Sequence, residues 1–135
     1  MILVDSNVLI DVITRDPVWL EWSRAELNAA VVSDALAIND VVYAELSVRY
    51  ERTQDLDDFV ARSGLVIVGI PRAALFQASK AFQRYRAAGG VRTGVLPDFF
   101  IGAHAAVAEA ILITRDASRF RTYFPDVRLI APRLA

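Results

Sequence analysis

Short, mostly apolar runs alternate along this chain with longer stretches in which apolar residues recur at helical spacing. The runs are MILV at 1–4, LAIN at 36–39, LVIVGI at 65–70, ILIT at 111–114 and VRLIA at 127–131. Runs this short, apolar on successive positions, fit strands buried on both faces of a parallel sheet. Between them, Pro17 opens a helix PVWLEWSRAELNAA, since proline is at home in a first turn. Asp40 sits where an N-cap belongs, ahead of DVVYAELSVRYERT. A helix through LDDFVARS stops at Gly64, a C′ residue. RAALFQASKAFQRYRAA is ended by Gly89 and Gly90, and after the loop VRTGVLP comes DFFIGAHAAVAEA, capped by Asp98 behind Pro97. The stretch SNVLIDVI offers one more helix, N-capped by Asp5. Strands alternating with helices predict a single domain over 1–135, an α/β/α sandwich of three layers around a parallel sheet of about five strands.

Composition supports that picture. The chain has 135 residues, 55% of them hydrophobic, with a mean hydropathy of +0.35, enough to fill one core and leave an apolar patch for a partner. It has no cysteine, which excludes disulfides and thiolate metal sites. The first residues lack a basic segment and are interrupted by Asp5, so no signal peptide is expected, and no apolar run is long enough to span a membrane. A cytoplasmic protein is expected.

The net charge of −1 hides an uneven distribution. Residues 1–70 carry five Arg against twelve acids, and residues 71–135 carry ten basic residues against four acids. A basic half suits a phosphate-rich ligand. Fourteen of the fifteen basic residues are Arg, which forks onto phosphate well but is also what a GC-rich gene encodes. The charge therefore makes no functional argument by itself.

Function in an open parallel sheet gathers at the carboxyl ends of the strands. Asp5 directly follows the first strand, and Asp116 lies just past the fourth, so both project from that edge. Asp98 starts the helix that leads into ILIT, and Glu45 lies in the second turn of the helix after LAIN. Each acid also has an ordinary structural explanation. Asp5, Asp98 and Asp116 could cap helices, and Glu45 could pair with Arg49 one turn on. Periodicity alone does not decide between these readings.

The blocks MILVDSNVLIDV, VVYAELSV, LPDFFIGAHA, ILITRDASRF and YFPDVRLIAP, in that order, resemble the successive blocks of PIN-domain ribonucleases, and most of all the VapC-type toxins of bacterial toxin–antitoxin pairs. The resemblance runs from residue 1 to about residue 132, with no family signature in 52–92. It implies that Asp5, Glu45, Asp98 and Asp116 are the acids that the family uses as a metal-binding quartet. Ser6 and Asn7 match the polar pair after the first acid, and Thr114 and Arg115 the pair before the last, where they would position substrate. The implied activity is a metal-dependent endoribonuclease, the toxin of a toxin–antitoxin pair, cleaving tRNA or rRNA to leave a 3′-hydroxyl and a 5′-phosphate. Implied partners are RNA, a cognate antitoxin protein and a second copy of the chain as homodimer. The alternative is a PIN-like module that binds RNA or protein without catalysis.

Carboxylates crowded together repel one another and stay partly protonated unless a cation neutralises them. Oxygen ligands select hard ions, so Mg²⁺ or Mn²⁺ is expected, with Asp5 and Asp98 as direct ligands and Glu45 and Asp116 completing the shell or holding a second ion. Water activated by such ions would displace the leaving oxygen in line. His104 is the only histidine, which excludes a ribonuclease mechanism using two histidines. It lies off the face of Asp98 and reads as structural. Gly102, one helical turn after Asp98, either leaves room beside a metal or permits a tight helix–sheet contact. Trp19, Trp22 and Leu27 read as core, with an antitoxin or dimer face as the other use.

Two further classes place an aspartate after a parallel strand. A haloacid-dehalogenase-type phosphatase needs a second Asp where this chain has Asn7. A receiver domain needs a Lys late in the sheet, whereas the sole Lys80 lies within a helix. Neither fits.

Overall fold

The computed structural model of the protein describes residues 1–133. In chain order it contains β1 (Ile2–Val4), α1 (Ser6–Thr14), α2 (Leu20–Val31), β2 (Leu36–Asn39), α3 (Asp40–Ser47), α4 (Thr53–Arg62), β3 (Leu65–Val68), α5 (Arg72–Ala87), α6 (Leu96–Ala108), β4 (Ile111–Ile113), α7 (Ser118–Tyr123) and β5 (Leu129–Ile130). The strands form one parallel sheet in the order β3-β2-β1-β4-β5. This is the α/β/α arrangement expected from the alternating pattern.

The chain winds outward from β1 through β2 to β3, then returns to the other side of β1 for β4 and β5. The winding direction therefore reverses between β1 and β4. In open α/β sheets the crevice at such a reversal, outside the carboxyl ends of the strands, is where ligands bind. The register aligns the ends of these two strands, with Val4 opposite Ile113.

Every residue of β1 and β2 is buried, as runs apolar on both faces require. β3 differs: it lies at the edge of the sheet, and its Val66 and Ile67 are 52% and 46% exposed. An aromatic cluster of Phe82, Tyr85, Phe99, Tyr123 and Phe124 joins α5, α6 and the end of α7, with ring centroids 5.2–6.1 Å apart. Phe99, at its centre, is fully buried. Its neighbour in sequence is Asp98, so packing of the aromatic ring fixes where that acid stands.

Several boundaries depart from the pattern-based expectation, each for a local reason. The helix expected from Pro17 begins at Leu20, because Asp16 accepts bonds from the amides of Val18 and Trp19, both at 2.9 Å, and holds residues 17–19 as a turn. The cap of α3 is Asn39, not Asp40: its side chain accepts from the Val42 amide at 3.0 Å. That helix ends at Ser47, well short of Thr53, which begins α4. Helix α6 starts at Leu96, two residues early, with Pro97 in its first turn and Asp98 inside the helix, not capping it. β5 shrinks to Leu129–Ile130. Gly64 does follow α4 with φ of 73°, the left-handed conformation that suits glycine at C′.

Candidate active site

Asp5 is the residue immediately after β1 and takes the N-cap position of α1, yet its side chain makes no capping hydrogen bond. The carboxylate turns instead to Thr114, whose hydroxyl donates to Oδ2 at 2.8 Å. Thr114 is fully buried and also accepts the Asp116 amide at 3.1 Å. One hydroxyl thus ties the end of β1 to the loop after β4. On the other side, Ser6 donates to Glu45 Oε1 at 3.0 Å, with Asp5 Oδ1 at 3.5 Å from the same hydroxyl. Glu45 therefore turns to α1, and among the described residues it makes no ion pair with Arg49.

Asp98 reaches the same region from the start of α6, which feeds β4 and so begins at the carboxyl edge of the sheet. Its carboxylate accepts from the Arg119 guanidinium of α7. The guanidinium lies 5.9 Å from the centre of the Tyr85 ring. Asp116 is not the cap of α7, a position taken by Ala117. None of the expected structural uses of the four acids is made.

The electrostatics bind the four together. Burial, then the charges of Asp98 and Glu45, push the Asp5 carboxyl up from 3.8 to about 7, against the lowering effect of Thr114 and Ser6. Glu45 is raised by burial and by Asp98, despite the Ser6 bond. Asp98 is raised by burial and by Asp116, despite Arg119 and Arg92. Asp5, Glu45 and Asp98 thus each feel at least one other acid of the four.

The remaining sequence-predicted residues hold the site's frame. Asn7 Oδ1 accepts the Arg115 amide at 3.3 Å. Arg115 forms a two-pronged ion pair with Asp11, Nε to Oδ2 at 2.8 Å and Nη2 to Oδ1 at 2.9 Å. Asp11 is 1% exposed and also accepts from Ser23 at 2.8 Å. Asp11, Ser23 and Arg119 escaped the sequence reading. A carboxylate inside the apolar run NVLIDVI, one turn after Asn7, was the available signal for Asp11.

His104 is buried, and its Nδ1 lies 3.2 Å from the Asn39 amide nitrogen. Because Asn39 Oδ1 is already committed to the α3 cap, Nδ2 donates and Nδ1 accepts. Burial lowers the histidine's pKa, keeping it neutral near pH 7. It fastens α6 to the β2–α3 junction, which sets Asp98 against Glu45. A Cβ on Gly102 would strike the Phe124 ring and approach Phe120 to 3.1 Å, so this glycine serves packing against α7 and its end, not against the sheet.

A PIN-domain family model matches residues 2–124. The chain belongs to the PIN-domain family. VapBC2 from Rickettsia felis, solved bound to a DNA fragment from its promoter, superposes on this PIN domain with a TM-score of 0.74 at 20% identity, covering 98% of this chain and 100% of that one. A toxin–antitoxin complex from Klebsiella pneumoniae gives 0.71 at 22% identity with all of both chains covered. FitAcB from Neisseria gonorrhoeae gives 0.68 at 19% identity, covering 96% of each. No curated protein matches the sequence. At these identities the structural likeness concerns the fold. Among the described residues, no helix of this PIN domain is long and apolar enough to cross a membrane.

The donor set suits a hard divalent cation in its chemistry, because it is all oxygen and carries more negative charge than the buried setting tolerates. Its present arrangement is not a closed cage: among the described residues, no three acids or histidines are gathered closely enough to share one ion. Asp98 is turned toward Arg119 and Asp5 toward Thr114. A cation here would either take the place of the Arg119 guanidinium on Asp98 or share the carboxylate with it.

Proposed function

We propose that this PIN-domain protein is a metal-dependent endoribonuclease, the toxin of a toxin–antitoxin pair acting in the cytoplasm, with structured RNA such as tRNA or rRNA as substrate. The observation that carries this reading is the buried Asp5 carboxyl, lifted to about 7 by burial and two neighbouring acids at the carboxyl edge of the sheet. A carboxylate so placed serves no capping or pairing need, and a cation is the group that would stabilise its charge.

In this reading Asp5 and Asp98 are direct ligands of Mg²⁺ or Mn²⁺, and Glu45 and Asp116 complete the shell or hold a second ion. When bound, the metal supplies Lewis acidity that activates water and neutralises the leaving oxygen of a phosphodiester. Thr114 holds the Asp5 carboxylate in place, and Ser6 does the same for Glu45. Arg119, once it leaves Asp98, becomes available to the negative charge of the substrate. Asn7 and Arg115 keep the loop of Asp116 in register with β1. The toxin assignment is supported by the likeness of the fold to a toxin–antitoxin complex from Klebsiella pneumoniae. An antitoxin that covers the site and a homodimer of this chain belong to the same proposal.

The test is cleavage of total cellular RNA by purified protein with Mg²⁺ or Mn²⁺, with EDTA, and with Asp98→Asn. Discrete fragments that need the metal and vanish in the variant are expected, each with a 5′-phosphate. Retained cleavage by folded Asp98→Asn would sink the ligand assignment. Intact RNA under every condition, with no metal bound, would leave a module that binds without catalysis.

A further inference from the structure

Beside Asp116 the surface opens into a cavity of about 500 Å³, lined by Trp19, Arg115, Asp116, Ser118, Arg121 and Arg133 among others. This is within the usual range for small-ligand sites, roughly 300–1,000 Å³. One wall is aromatic and rigid. The Trp19 ring is braced edge-on by Trp22, with centroids 6.2 Å apart and planes at 84°. The Arg115 guanidinium lies 5.4 Å from the Trp19 ring centre. That guanidinium is itself clamped by buried Asp11 at 2.8 and 2.9 Å, so its place beside the Trp19 ring is set before any ligand arrives.

The rim is cationic. Arg121 and Arg133 are exposed and make no ion pair among the described residues. Asp116 belongs both to this cavity and to the carboxylate cluster, so whatever fills the cavity adjoins the acids. An indole ring with a guanidinium beside it suits the face of a base. Unpaired guanidinium groups match phosphates. An apolar peptide would leave both arginines without partners, and an acidic one would offer no planar group to Trp19.

We propose that this cavity is a nucleotide subsite, in which one unstacked base of single-stranded RNA lies on the Trp19–Arg115 pair while Arg121 and Arg133 hold the flanking phosphates. The inference rests on the nuclease reading for the class of ligand. It extends that reading by naming a base-recognition residue, Trp19, in the turn before α2 and remote in sequence from Glu45, Asp98 and Asp116.

The experiment is fluorescence anisotropy with a labelled single-stranded RNA of about ten nucleotides, within the usual span of single-strand sites. It is carried out in EDTA at low salt, so that binding is read without cleavage. Trp19→Ala is expected to weaken binding on the order of tenfold, the usual loss for one stacked base, and Trp19→Phe to keep most of the affinity. An abasic position walked along the RNA should reveal one site at which Trp19→Ala no longer matters. Circular dichroism checks the fold of each variant, and exposed Arg121→Ala provides a second variant, expected to weaken binding with a shallower salt dependence.

Unchanged affinity in folded Trp19→Ala overturns the subsite, as does an equal Trp19→Ala effect at every abasic position, or wild-type protein that does not bind. Loss of antitoxin binding in Trp19→Ala with RNA affinity intact would give the cavity to a protein segment and overturn the proposal likewise. The two readings fail separately. Trp19-dependent binding without metal-dependent cleavage would leave the subsite and remove the nuclease. Metal-dependent cleavage with an unchanged KM in Trp19→Ala would do the reverse.

Discussion

Replacing Asp5 with Asn should stabilise the metal-free protein, and should do so increasingly as pH rises. In the folded chain the Asp5 carboxyl is lifted from 3.8 to about 7, chiefly by burial and then by Asp98 and Glu45. In the unfolded chain it returns to its ordinary value. The folded state therefore holds this proton more tightly than the unfolded state does. Stability falls as pH rises from near the ordinary value and levels off above about 7, the opposite of a paired carboxylate. A rise of this size corresponds to about 4 kcal/mol at alkaline pH, an upper figure because water and local relaxation reach most buried charges. Roughly 2–3 kcal/mol of it is lost between about pH 5 and pH 8.5.

Asn keeps an oxygen to accept the Thr114 hydroxyl, now at 2.8 Å from Asp5, so the variant loses the charge more than the bond. Glu45 and Asp98, also raised, are present in both proteins, and their share largely cancels in the comparison. The assay is urea unfolding of wild type and Asp5→Asn in EDTA at the two pH values. The advantage of the variant should grow by about 2 kcal/mol from the acidic to the alkaline condition. Mg²⁺ at alkaline pH should raise the wild type and leave the variant nearly unmoved, since only a folded state that binds the ion gains from it. An advantage that is equal at both pH values, or that shrinks toward alkaline pH, would refute the reasoning that Asp5 carries an unwelcome charge.

Two other substitutions probe the frame. Asp11→Ala removes the two-pronged partner of Arg115 and the acceptor of Ser23, and should cost about 2–3 kcal/mol in urea unfolding; a loss under about 0.5 kcal/mol would mean the loop of Asp116 is held by other contacts. Gly102→Ala should cost about 1–3 kcal/mol by forcing Phe124 aside while leaving Mg²⁺ affinity by calorimetry unchanged; a selective loss of Mg²⁺ affinity would instead place Gly102 beside the metal.

The sheet was legible because its central strands are buried on both faces, and nothing but apolar side chains fits there. MILV and LAIN carry no polar residue until the strand ends, so their extent could be read within a residue or so. β3 misled in one respect: LVIVGI is as apolar as a central strand, yet Val66 and Ile67 stand half exposed at the sheet edge. Hydrophobicity reports that a run can be buried, not that a neighbour arrives to cover it. Helix ends were less legible for a related reason. Asn39 and Asp40 are adjacent residues that can both cap, and only the backbone turn decides which oxygen faces the Val42 amide.

The acids show where composition and spacing run out. Asp5, Asp98 and Asp116 all stand at or near helix starts, where aspartate is common for reasons of capping. The structure leaves the start of each helix without a side-chain cap. Asp5 turns to Thr114 across 109 residues, and Asp98 turns to Arg119. Sequence preference describes the backbone position an aspartate favours, not the direction its carboxylate takes. That direction is set by long-range packing: Phe99 buries the first turn of α6, His104 locks α6 to α3, and Asp11 pins Arg115. A cap position whose carboxylate does not cap has forgone its local hydrogen bond. Asp5 is in that position, and its carboxyl is raised together with those of Glu45 and Asp98, so local stability does not explain where these acids stand. In the proposed function these helix starts position charge for a cation, and the missing side-chain caps are part of what that positioning costs the fold.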